Sequence, residues 1–101
     1  MTATFKVEIT PSAEADIADL WDYIAQDDPL AATAFIAALE EQISHLERFP
    51  ERCPRIPENA YLGTGLRHLL YGPCRTIFRL GEERVIILRV IRGARLFETG
   101  E

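Results

Sequence analysis

Six arginines, Arg67, Arg75, Arg79, Arg89, Arg92 and Arg95, recur through the last third of this chain, with His68 and Tyr71 among them. A guanidinium grips carboxylates and phosphates through a planar fork of hydrogen bonds and stays charged at every physiological pH. It can bind an anion or stabilise a charged transition state, but it cannot relay a proton. His68 could, because imidazole titrates near neutrality, and the Tyr71 hydroxyl is a second possible donor. Long arginine stems also cover apolar surface and pair with acids such as Glu82, Glu83 and Glu98. Six on one short sheet exceed what such pairing needs. Strand alternation gives Arg75 and Arg79 a common parity, which Arg89 and Arg92 do not share with each other. Arg75, Arg79 and Arg95 are therefore the expected functional cluster, with Arg89 as an addition and Arg67 as a further binding candidate.

All ten arginines lie after residue 47, and the only lysine is Lys6. Residues 1–47 set Lys6 against ten acids, a formal charge of −9, whereas residues 48–101 set ten arginines against six acids, +4. The overall charge of −5 thus hides a strong dipole.

Elements that could position these residues follow from periodicity. Phe5, Val7 and Ile9 alternate with Lys6 and Glu8, the period of a half-buried strand. Thr10 then Pro11 supply an N-cap and a proline at the first helical position, and Ile17, Leu20, Trp21 and Ile24 make a helical stripe as far as about residue 27. Asp28 then Pro29 repeat the device, and Ala32, Phe35, Ile36, Leu39, Ile43 and Leu46 carry a second helix toward Pro50. Pro50, Pro54 and Pro57 predict an extended connector. Residues 66–71, 74–80 and 84–91 read as three consecutive antiparallel strands with turns at Gly72-Pro73 and Gly81. The order β-α-α-β-β-β predicts one α+β domain over residues 1–101: a four-stranded, antiparallel-rich twisted sheet with an N-terminal helical hairpin on one face and the arginines on the other.

Several chemistries find no support. Cys53 and Cys74 are 21 residues apart without a CxxC pair, and His45 stands alone, so no metal and no cofactor are expected. Asp16, Asp19, Asp22, Asp27 and Asp28 match no calcium loop and read as a solvated face. Trp21 reads as core. Without an apolar leader or a spanning run, the chain is expected to be soluble and cytoplasmic, with free thiols.

The segments SAEADIADLWDYIAQDDPLAATAFI, LERFPERCPRIPE, GLRHLLYGPCRTIFRL and VIILRVIRGAR, in this order, resemble the RelE/ParE superfamily of toxins from type II toxin–antitoxin modules, the plasmid-stabilising addiction type. The resemblance covers about residues 3–96. It implies a small toxin fold, growth arrest and a cognate antitoxin that wraps and neutralises it. RelE-like members cut mRNA on the ribosome, whereas ParE-like members poison DNA gyrase and lack the nuclease residues.

Metal-independent RNA cleavage needs a base for the 2′-hydroxyl, an acid for the leaving oxygen and cations for the phosphorane. RelE-like nucleases are associated with sheet lysines and a tyrosine near the C-terminus. Here the second strand has Arg67 and His68 instead, and the tail ends Phe97-Glu98-Thr99-Gly100-Glu101. Arg75 and Arg95 match the family's sheet arginines, so a nuclease would rest on Arg75, Arg95 and His68. The acidic balance also disfavours RNA. The ParE-like reading, with gyrase as a protein target and no sequence-specific DNA binding by this chain alone, is the first expectation. A RelE-like endoribonuclease and a non-toxic binding or regulatory relative are the alternatives.

Overall fold

A computed structural model describes residues 4–57 and 65–93 of the chain. Strand β1, Lys6–Ile9, runs into helix α1, Pro11–Ala25, through Thr10, whose extended backbone and hydroxyl cap the helix. That hydroxyl accepts from the Ala13 N–H at 3.2 Å and donates to the Ile87 carbonyl at 2.8 Å, so one side chain starts the helix and ties it to the last strand. Asp28 caps helix α2, Pro29–Ser44, accepting from the Leu30 and Ala31 amides. Both helices thus begin as the twin Thr-Pro and Asp-Pro signals predict, and α1 stops close to its expected end.

Helix α2 ends earlier than its stripe predicts. A turn of 3₁₀ helix at His45–Glu47 follows, and Phe49 then adopts the left-handed conformation at φ 53°. A residue before proline is disfavoured in the right-handed helical region, and the turn made at Phe49 turns its half-exposed ring outward, under the Arg52 guanidinium at 4.8 Å. A second 3₁₀ turn, Pro50–Arg52, opens the connector.

Strands β2, Arg67–Tyr71, β3, Cys74–Leu80, and β4, Arg84–Arg92, form the antiparallel meander expected from the sequence. The sheet order is β1-β4-β3-β2, so the nearly continuous apolar strand β4 is central, parallel to β1 and antiparallel to β3. Gly72 makes the β2–β3 turn at φ +56°, where an L side chain is strained and a Cβ would sit 3.4 Å from the Phe35 ring. Gly72→Ala is expected to lower thermal stability by about 1–2 kcal/mol in a melting experiment.

Two packed layers result. Val85, Ile87, Val90, Cys74 and Phe78 meet Ala13, Ile17, Leu20, Leu39 and Ile43 beneath the helices. The opposite face is not bare, as the sequence had suggested. Ile56 and Leu66 from the connector cover Ile77 and Ile91 there, with Leu88 alongside. The connector is fastened by backbone bonds from Ile56 to Leu66 and from His68 to Pro54.

Two polar or amphipathic residues sit otherwise than expected. Trp21 is only half buried and donates its indole N–H to Thr33 Oγ1 at 3.2 Å across the helical hairpin, so it seals the seam instead of entering the core. Thr76 is fully buried, and its hydroxyl finds no partner among the described residues. A buried unpaired hydroxyl costs about 1–3 kcal/mol. Thr76→Val, of nearly equal shape, should therefore raise the unfolding free energy by about 1 kcal/mol; a loss of stability in denaturant titration would contradict this.

Candidate functional site

Register sorts the arginines. On β3, Arg75, Ile77 and Arg79 pair with Ile91, Arg89 and Ile86, and on β2 His68 and Leu70 pair with Ile77 and Arg75. Arg75, Arg79, His68 and Leu70 therefore share the face turned away from the helices, the one that Ile56 and Leu66 partly cover. Arg79 is exposed and makes no ion pair or hydrogen bond among the described residues. Leu70, 60% exposed, is an exposed apolar side chain beside them. Arg84 opens β4 with the parity of Ile86 and so joins this face. It was missed in the sequence, although the alternation Arg84, Ile86, Leu88 marks it. Its only charge partner among the described residues is Glu8 at 3.6 Å, an exposed and weak contact.

The remaining arginines are committed elsewhere. Arg67 donates to the carbonyls of Cys53 at 2.7 Å and Glu51 at 3.1 Å, which fixes the connector against the start of β2. Arg92 lies 3.8 Å over the Tyr23 ring on α1. Arg89 forks onto Asp16 of α1, with Nε to Oδ2 at 2.7 Å and Nη2 to Oδ1 at 3.0 Å, while Asp16 Oδ2 also accepts the Val90 N–H at 2.9 Å. Asp16 is thus a structural clamp and not part of a solvated acidic face. Of the arginines expected on one face, the register places Arg75 and Arg79 there; Arg67 and Arg92 pair on the helical side, and Arg89, opposite Ile77 beside the bulge, is held by Asp16. Arg95 lies outside the described residues.

Among the described residues, proton-transfer groups are sparse on the open face. Tyr71 points to the helical side, its ring 5.5 Å from Phe35, so its hydroxyl is not among the arginines. His68 is only 8% exposed, and its Nδ1 lies 3.2 Å from Arg75 Nη1. Because a guanidinium only donates, Nδ1 must accept in this contact, which places the imidazole proton on Nε2. Cys53 and Cys74 are both unpaired thiols, pushed up by burial, with Arg67 and Arg92 respectively pulling them back in part. Neither is an activated nucleophile. Among the described residues no group of three potential ligands could hold a metal, and no helix is long and apolar enough to cross a membrane.

What this arrangement offers is anion recognition by rigid forks beside an apolar side chain. The family model described as the ParE toxin of type II toxin–antitoxin systems, parDE, matches residues 7–97. The chain belongs to this ParE toxin family. A search of curated proteins finds no match. Among solved structures, the ParE family member is similar to a chain of the chromosomal ParDE toxin–antitoxin system from P. aeruginosa, with a TM-score of 0.72 and 24% identity over 89% of this chain and 97% of that one. It is also similar to a chain of the toxin–antitoxin complex RelBE2 from Mycobacterium tuberculosis, with a TM-score of 0.64 and 23% identity over 94% and 98% of the two chains. At these identities both likenesses establish the fold that ParE and RelE relatives share.

Proposed function

We propose that this ParE-family toxin arrests growth in the cytoplasm by binding DNA gyrase as a protein ligand, and that a cognate antitoxin holds it inactive. The observation that carries the reading is the chemistry of the open face. Arg75, Arg79 and Arg84 supply fixed positive charge, but Tyr71 faces the helices and His68 is enclosed and engaged by Arg75. Charge stabilisation without an exposed imidazole or phenol among the described residues of this face suits recognition better than strand scission. The antitoxin, in this reading, lays an acidic tail, disordered on its own, against Arg75 and Arg79 and covers the surface the toxin needs.

The purified protein should abolish supercoiling by gyrase while leaving cell-free translation intact. Codon-placed mRNA cuts in the translation assay would instead support the ribosome-dependent nuclease, with Arg75, Arg95 and His68 as its residues. Inactivity in both assays would point to a relative that only binds. A short overlapping reading frame encoding a DNA-binding N-terminus and an acidic tail would support the antitoxin part independently.

A further inference from the structure

Three of the described residues have positive φ, and two of them are the glycines Gly72 and Gly93. The third is Phe49, at φ 53°. A Cβ makes this left-handed region costly, and a bulky side chain there is an outlier. Its surroundings hold it in place: Pro50 is fully buried, the Phe49 carbonyl accepts the Arg52 N–H at 3.1 Å, and Arg67 grips the Glu51 and Cys53 carbonyls. Glycine would make the same turn without strain. The phenylalanine ring, 48% exposed, stands outside both apolar clusters of the core and carries the Arg52 guanidinium 4.8 Å over one face. Backbone strain that displays an aromatic ring to solvent marks a side chain kept for contact outside the molecule.

We propose that Phe49, with Arg52 stacked on it, is an anchor by which the toxin grips gyrase, its ring entering an apolar socket whose rim carries a carboxylate for the Arg52 fork. Aromatic and arginine side chains are the commonest anchors of protein interfaces. Arg52 is exposed and meets no carboxylate among the described residues, so its N–H groups are available to one on a partner. Arg48 beside the ring is exposed as well, while the exposed Glu47 and Glu51 offset part of this charge. Recognition of the carboxylate therefore comes from the fork at close range, not from long-range attraction. Leu46 and Cys53, on either side in sequence, pack into the core beneath the helices. The anchor is thus rooted in the helical layer, across the sheet from Arg75 and Arg79, and is a second point of contact. Because the turn is fixed before binding, little conformational freedom is lost when the ring docks.

The anchor rests on the gyrase reading, and the test separates the two. Gyrase holoenzyme is assayed with the full chain, reading inhibition of supercoiling and retention of gyrase on the immobilised chain. Phe49→Gly should raise the half-inhibiting concentration about thirtyfold, the scale of a hot-spot side chain, and weaken retention to match. Arg52→Ala leaves the ring in place and removes one partly exposed charge contact, so it should raise that concentration about fivefold.

Melting temperatures separate an anchor from a ring that holds the fold. Glycine ordinarily melts below alanine, but at φ 53° the order should reverse, with Phe49→Gly about 5 °C above Phe49→Ala. If the parent inhibits gyrase and Phe49→Gly inhibits it equally, the anchor is overturned while the gyrase reading stands. A parent without effect on gyrase overturns that reading and the anchor with it. Phe49→Gly melting below Phe49→Ala, or more than about 10 °C below the parent, also overturns the anchor, because the ring would then be serving the fold.

Discussion

Asp16→Ala is expected to remove about 3 kcal/mol of stability, the cost of leaving the Arg89 guanidinium and the Val90 N–H without the carboxylate that serves both. For a domain of this size that corresponds to a melting temperature lower by roughly 15 °C. The Asp16 side chain is 14% exposed and that of Arg89 36%, so the pair is neither a surface bridge nor a fully enclosed one, and the figure lies between those limits. Asp16→Asn can still accept from Val90 but loses the charge-assisted fork, and should cost about half as much. Combining Asp16→Ala with Arg89→Met should recover part of the loss, because the cation is removed together with its carboxylate. A drop of only a few degrees in the single variant would show that the clamp is incidental.

The second large effect concerns binding. Replacing both Arg75 and Arg79 with alanine is expected to weaken the antitoxin complex by about a hundredfold, with a smaller dependence on salt than the parent shows. Arg79 is exposed and unengaged among the described residues, so its removal should change folding stability by less than about 0.5 kcal/mol. Arg79→Lys keeps the charge and loses the fork, and an intermediate loss would show that geometry matters as well as sign. Unchanged antitoxin affinity in the double variant would rule out this face as the antitoxin's seat.

The fold was readable because its signals are local. Thr10 with Pro11 and Asp28 with Pro29 mark the helix starts, and Gly72 with Pro73 marks a turn that needs positive φ at glycine. Which arginines remain available was less legible. Pairing of Ile77 with Arg89 and of Phe78 with Ile87 leaves Leu88 unpaired, a bulge that shifts the alternation of β4 partway along. Within the apolar run around Leu88 nothing announces that shift, so Arg89 could not be assigned from parity. Arg67 depends on where the Cys53 and Glu51 carbonyls come to rest, and the proline-rich connector has no period from which to predict it. The same gap concealed Ile56, a lone aliphatic between prolines that proves to cover the far side of the sheet. Asp16 was misjudged because its position on the helical wheel says nothing about a strand edge waiting 74 residues later.

That separation bears on how the chain is made. Among the described strands β1 pairs with β4 alone, and the hydroxyl that starts α1 closes onto the Ile87 carbonyl 77 residues downstream. A ribosome delivers the N-terminal strand and both helices before the strand that completes them, so contacts of long loop closure come last. The nascent toxin therefore cannot assemble its sheet until nearly all of the described chain has emerged. Synthesis itself imposes a delay between starting to make the poison and possessing it, an interval in which a partner already present in the cell can be waiting at the tunnel exit.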